Sequence, residues 1–194
     1  MGHPDPGSLN HAVAQRISST WAGLGFSAEV VDLHAAGFDP VMTAAEFRGG
    51  PSQDPQVQQY QQALHEADLL AVVHPNQWGA PPALVKGWMD RVFAEGAAYA
   101  FAKGEDAGDA PIPLLVGKRG LIVNTSNTTA EREADTFGDP LERIWRDCLL
   151  GYSGFERIDR LVLRVVATST PSERAAWLVQ VEEAATEVIA GSAS

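Results

Sequence analysis

The sequence predicts a three-layer α/β domain, a parallel sheet with helices on both faces, on three observations. Strand-like and helix-like segments alternate along the chain to its last helix, the order that right-handed βαβ crossovers produce. Two strand segments, Leu69-Leu70-Ala71-Val72-Val73-His74 and Arg119-Gly120-Leu121-Ile122-Val123-Asn124, are apolar nearly throughout instead of alternating, as strands buried on both faces are. Several intervening segments open on proline or a polar cap and then carry apolar residues at helical spacing.

Asn10 to about Leu24 reads as the first helix, with Ala12, Val13, Ile17, Trp21 and Leu24 on one side and Gly25 as its stop. Ala28-Glu29-Val30-Val31-Asp32-Leu33 is a short β-branched run, expected as a strand. A looser stretch from His34 to Gln53 follows, with room for a short helix over Thr43 to Phe47. Asp54-Pro55 caps and opens a helix through about Glu66. After the Leu69–His74 strand, Pro81-Pro82 opens a helix whose stripe is Leu84, Val85, Trp88, Met89, Val92 and Phe93. Beyond the Arg119–Asn124 strand, Asp139-Pro140 starts a helix carrying Leu141, Ile144, Trp145, Cys148 and Leu149. Arg160 to Val166 is expected as the last strand and Pro171 to about Ala190 as the closing helix. With no repeat, linker or low-complexity block in sight, residues 1–194 are expected to form one domain.

Composition excludes several classes. The 194 residues carry 25 acidic and 14 basic side chains, a formal net charge of -11, which leaves no basic footprint for nucleic acid. Nothing approaches the ~18 consecutive apolar residues of a membrane span. Met1-Gly2-His3-Pro4-Asp5 does not resemble a signal peptide, and a single cysteine fits a reducing compartment, so the cytoplasm is expected.

Ligands of an open parallel sheet bind beyond the carboxyl ends of its strands. Three segments in such places look unlike ordinary connections. His3-Pro4-Asp5-Pro6-Gly7-Ser8-Leu9-Asn10 ends as a helix begins, and offers free backbone N–H groups, a hydroxyl and an amide to a phosphate or pyrophosphate. The same residues also make a plain N-cap. Pro75-Asn76-Gln77-Trp78-Gly79 leaves a buried strand with an indole on which a planar heterocycle could stack, although Trp78 could equally pack under the next helix. Asn124-Thr125-Ser126-Asn127-Thr128-Thr129 places six small polar residues after an apolar strand.

At these residues the chain resembles the NAD(P)H:quinone oxidoreductase family of flavodoxin-like proteins. The most specific stretch is Pro81 to Phe93 (P-P-A-L-V-K-G-W-M-D-R-V-F), followed by Ala97-Ala98-Tyr99-Ala100-Phe101 and preceded by His3-Pro4-x-Pro6-x-Ser8-Leu9-Asn10. The resemblance implies a flavodoxin-like fold with FAD, or FMN, held non-covalently. It implies ping-pong hydride transfer from NADPH or NADH through flavin N5 to a quinone-like acceptor. His3, Ser8, Leu9 and Asn10 would then contact the phosphate portion of the flavin. Pro75, Asn76, Gln77, Trp78 and Gly79 would run along the isoalloxazine, with Asn124, Thr125, Ser126 and Asn127 on the other side of the ring. Tyr99 and Phe101 would line the substrate space, often from a second subunit of a homodimer. The apolar stripe Trp88, Met89, Val92 and Phe93 adds to the expectation of a partner.

Two departures from the family matter. Relatives carry the loop after the Arg119–Asn124 strand as T-T-G-G and have a Tyr and a His where this chain reads Phe137-Gly138-Asp139, so no acid/base residue is assigned. Relatives also open with an apolar strand in mid-sheet, whereas only Met1 and Gly2 precede His3 here. The first strand is therefore expected to be missing or truncated. Either the natural start lies upstream, the favoured reading, or the fold fills the gap differently. The alternatives to a quinone reductase are a regulatory or partner-binding subunit with weak turnover, and an azo- or nitro-reductase. The five histidines lack metal-ligand spacing, with His74 alone kept as a site candidate because it ends a strand at the second loop. Gly151-Tyr152-Ser153-Gly154 fails the hydrolase elbow because Phe155 stands where glycine is required. Cys148, on an apolar stripe, is expected to be a buried inert thiol.

Overall fold

The computed structural model describes residues 1–102 and 110–190. Three parallel strands form its sheet in the order β1 (Leu69–Pro75), β4 (Arg119–Ser126), β5 (Arg157–Arg164). In register, Val73 faces Val123 and Val123 faces Leu161. Because side chains alternate across a strand, Val73, Leu121, Val123 and Leu163 turn to one face, where α1 (Leu9–Gly23) and α7 (Pro171–Ala190) cover them. Val72, Ile122 and Ile158 turn to the other face, against α3 (Pro55–Glu66), α4 (Ala83–Val92) and α6 (Pro140–Arg143). The short α2 (Ala44–Phe47) closes a capping box, in which Thr43 Oγ1 accepts from Glu46 N and Glu46 Oε2 accepts from Thr43 N. A two-residue hairpin pairs β2 (Tyr99–Ala100) with β3 (Ile112–Pro113). Among the described residues no helix is long and apolar enough to cross a membrane.

Four local expectations need correction. Ala28–Leu33 forms no strand and joins no sheet. Its neighbour on the β1 side is only Met1–Gly2: the Met1 amine donates to Val31 O at 2.6 Å, Leu33 N–H donates to Met1 O, and Gly2 N–H donates to Val73 O. Two residues thus stand where relatives are expected to have their first strand. Beside them lies a groove of about 580 Å³ lined by Ile17, Trp21, Val30, Leu69 and Ala71.

The last strand begins at Arg157, three residues earlier than the apolar pattern suggests, because β5 is an edge strand. Its outer groups meet water, so an Arg157–Asp159 ion pair at 2.6 Å is tolerated there. The helix from Pro140 widens into a π-helical stretch over Ile144–Gly151. One more residue per turn swings the expected stripe around, leaving Trp145 and Leu150 buried and Cys148 exposed. Finally, Met89, Val92 and Phe93 are buried in the core of their own chain and Trp88 is partly buried against it, so most of the α4 stripe is covered without a partner. Gly87 on α4 lets the helix lie against the backbone at Pro40, whose carbonyl oxygen would stand 2.3 Å from an added Cβ.

Candidate functional site

β1 and β4 end side by side, with Pro75 opposite Thr125, and the first helix starts next to them. Thr125 is where the three expected segments meet. Its hydroxyl and the Asn10 amide exchange hydrogen bonds at 3.0 and 3.3 Å, and its carbonyl accepts the Asn76 N–H at 2.7 Å.

In the first loop, Asp5 Oδ1 accepts from Gly7 N and His3 Nδ1 accepts from Asp5 N, which curls the chain into α1. Ser8 caps that helix, and the N–H groups of Leu9 and Asn10 have no acceptor among the described residues. No acidic side chain occupies the first turn, so the positive end of the helix is left unneutralised. Ser8 Oγ stands 2.9 Å from His11 Nδ1, and His11 Nε2 stands 2.8 Å from Asp32 Oδ2.

The second loop is a tight turn. Gln77 and Ala80 exchange backbone hydrogen bonds at 3.0 Å, with Trp78 at φ 58° and Gly79 at φ 75° between them. Two consecutive left-handed residues make a type I′ turn, a conformation that costs Trp78 energy and Gly79 nothing. A Cβ on Gly79 would also meet Pro140 Cγ at 2.7 Å. Asn76 fixes the turn from below: its Oδ1 accepts from Gly79 N at 2.9 Å and its Nδ2 donates to buried Glu133 Oε1 at 3.0 Å. Glu133 is held in turn by Arg164. The Trp78 indole, 104% exposed, rests on none of the ring partners found among the described residues. A strained residue thus turns its indole to solvent, where a planar group could stack on it.

Under the loops runs a buried polar row across the sheet. His74, 0% exposed, accepts at Nε2 from Trp145 Nε1 and Asn124 Nδ2, each at 2.9 Å, and its Nδ1 donates to Pro75 O at 2.8 Å. The only tautomer compatible with these partners carries its proton on Nδ1. Burial holds the imidazole pKa down at about 4, with the nearby Arg160 charge adding to the effect. Arg160 donates to Asn124 Oδ1 at 2.8 Å and to Asp139 Oδ2 at 2.7 Å, and its Nη2 has no partner. Burial alone would raise the Asp139 pKa, but hydrogen bonding and charge from Arg160 hold it below the usual carboxylate range.

The structure therefore gathers His3, Ser8, Leu9, Asn10, Pro75 to Gly79 and Thr125 at one sheet edge. It draws Asn124 into the buried row and extends β4 through Ser126, so the third loop starts at Asn127, not Asn124. There Asn127 Oδ1 accepts from Ala167 N, Ser126 Oγ accepts from Thr128 N, and Thr129 caps the short α5 (Ala130–Arg132). Tyr99 and Phe101 stack edge to face at 5.8 Å, and Tyr99 meets Tyr152 at 5.2 Å. Among the described residues no ring contact links them to the three loops. Sequence reasoning missed Glu133, because Ala130-Glu131-Arg132-Glu133 reads as a solvated turn. It missed Arg160 because a charged residue in a strand signals nothing alone, and the Ser8–His11–Asp32 chain because Asp32 is distant in sequence.

A family model described as "Flavodoxin-like fold" matches residues 1–188. The guinea pig (Cavia porcellus) protein named NAD(P)H dehydrogenase [quinone] 1 is 31% identical over 214 aligned residues, covering 98% of this chain and 72% of that protein. The solved NAD(P)H:quinone oxidoreductase of Methanothermobacter marburgensis superposes with a TM-score of 0.80 at 23% identity, covering 97% of this chain and 94% of that one. An FMN-dependent NADH-azoreductase from Bacillus anthracis, solved with FMN, superposes at 0.68 with 18% identity, covering 95% and 93%.

Proposed function

Because the chain belongs to the flavodoxin-like NAD(P)H:quinone oxidoreductase family, we propose that this oxidoreductase holds FAD, or FMN, at the Thr125 junction and reduces a quinone-like acceptor with NADPH or NADH. Convergence of three loops on Thr125 carries the reading, since it ties an anion-ready helix end to the loop that bears an exposed indole. The donor set suits a flavin. The free N–H groups of Leu9 and Asn10 with Ser8 and His3 would meet its phosphate, and the turn from Pro75 through Asn76, Gln77, Trp78 and Gly79 would bed its ring system. Ser126 and Asn127 would lie on the opposite side of that ring, while Asn124 is tied to His74 and Arg160 in the buried row. When bound, a flavin supplies the two-electron chemistry, with the nicotinamide and the acceptor visiting one face alternately in a ping-pong cycle.

The protein's own work is placement. Asn76, fixed by Thr125 and Glu133, holds the turn still, so the Trp78 N–H, the one backbone donor from Asn76 to Gly79 with no partner among the described residues, would meet the ligand without reorganisation. The low pKa of His74 keeps that imidazole neutral, and it carries no proton to the site at physiological pH. With bound flavin, the purified chain should oxidise NADPH or NADH over many turnovers when menadione is added. Protein that takes up neither FAD nor FMN would overturn the proposal. An azo dye assayed beside menadione separates the azoreductase alternative, which the Bacillus anthracis neighbour brings forward.

We also propose a homodimer. With most of the α4 stripe covered internally, the supporting surface is Ile112, Leu114, Val116 and Tyr152, exposed side chains around Tyr99 and Phe101. Pairing there would set Tyr99 or Phe101 at a neighbour's acceptor space, and the single cysteine accords with a cytoplasmic setting. Light scattering should give twice the chain mass, whereas a monomer with full turnover would contradict the arrangement.

A further inference from the structure

Ser8, His11 and Asp32 form a linear chain of hydrogen-bonding groups from the helix end to the segment beside Met1. Ionised Asp32 can only accept, so His11 must carry a proton on Nε2. Burial acts to raise the Asp32 pKa, but hydrogen bonds from His11, Ala35 and His34 hold it below the ordinary carboxylate range. The state of Nδ1 then decides what Ser8 can do. While His11 is neutral, Nδ1 is bare and takes the single hydroxyl proton of Ser8, so Oγ shows only lone pairs to an incoming anion. Once Nδ1 is protonated it donates to Oγ, the Ser8 hydroxyl is released to donate outward, and a positive charge stands behind it.

Building on the flavin reading, we propose that His11 is a positioning residue that makes the phosphate cradle proton-linked: the phosphate-bearing ligand binds together with a proton on His11. Linkage is reciprocal, so the ligand's phosphate raises the basicity of His11 as much as protonated His11 tightens the ligand. The other groups facing this chain are few. His3 approaches His11 edge to face at 6.5 Å, and Asp5 of the same loop is engaged with Gly7 N. The Met1 amine lies near Asp32, and burial holds its pKa down at about 6, so its own titration falls between pH 5.5 and pH 8.5. A variant must therefore separate His11 from Met1.

FAD is the probe, because its pyrophosphate has no ionisation near neutrality, and riboflavin is the control that lacks phosphate. Fluorescence titrations from pH 8.5 to pH 5.5 should show FAD tightening about tenfold. Riboflavin affinity should stay level, and calorimetry in two buffers should register proton uptake with FAD alone. His11→Asn puts a permanent N–H donor near Oγ and leaves Met1 unchanged, so its FAD affinity should lose the pH dependence. Circular dichroism checks that the variant is folded, and Ser8→Ala gives a second reading, with weak FAD binding level in pH. Tight FAD binding without pH dependence in the wild type, or a slope that survives His11→Asn, would overturn the proton link while leaving the flavin reading intact. Absence of FAD, FMN and riboflavin binding at every pH would overturn both.

Discussion

Replacing His74 with leucine is expected to cost about 3 kcal/mol of unfolding free energy, because two buried donors, Trp145 Nε1–H and Asn124 Nδ2–H, lose their shared acceptor. The Pro75 carbonyl loses its donor as well, so the turn through Trp78 loses the anchor at its base and flavin affinity should fall with stability. His74→Gln keeps an acceptor on the side chain and should recover part of the loss. The imidazole also shapes acid stability. Its pKa is about 4 in the folded chain and 6.5 when unfolded. Between those values the unfolded state binds a proton that the native state refuses, so stability falls as pH drops from about 6.5 to about 4, by about 3 kcal/mol from this group. Urea unfolding across that range tests it: wild type should lose more stability than His74→Gln. Parallel profiles would refute the role of the buried imidazole.

A loss of similar or greater size is expected for Arg91→Met. The Arg91 side chain is buried against the loose segment before α3. It donates to Glu46 Oε1 at 3.0 Å and to Asp39 O at 2.6 Å, and pairs with Asp54 Oδ2 at 3.1 Å. Removing one partner of a buried pair strands the other's charge, at a cost of about 3–5 kcal/mol. Burial would raise the Glu46 pKa, but hydrogen bonds from Ser52, Thr43 and Arg91 hold it at about 2. A depressed carboxylate stabilises the fold fully above its unfolded value of 4.5 and loses that contribution as pH falls through about 2. The gap between wild type and Arg91→Met should therefore be wide at pH 7 and narrow towards pH 2.5. A midpoint in urea within experimental error of wild type at pH 7 would contradict this account.

The sheet was legible where burial alone writes the pattern. Leu69–His74 and Arg119–Asn124 are apolar on both faces, and no helix of that length needs to be. Ala28–Leu33 has the same β-branched character yet pairs with nothing for most of its length, because a strand exists only with its neighbour and sequence does not list neighbours. The π-helical widening after Arg143 was invisible, since a 3.6-residue period fits Ile144, Trp145, Cys148 and Leu149 equally well on paper. For the site, three loops were readable from small polar residues and glycine placed after apolar runs. That Thr125 joins them was not, because Asn10 and Thr125 lie 115 residues apart. Nor did composition distinguish buried Glu133 from its exposed neighbours, as burial of a carboxylate is decided by the donors that Asn76 and Arg164 bring to it.

The turn of Cys148 towards solvent has a practical consequence. It is the sole thiol of the sequence and stands in solvent on the widened helix. A nitroxide attached there marks each chain once, with no residue replaced. Two associated chains would then give a single dipolar coupling in pulsed electron resonance, and its frequency is a length between fixed points on the two copies. A solitary chain would give no coupling at all.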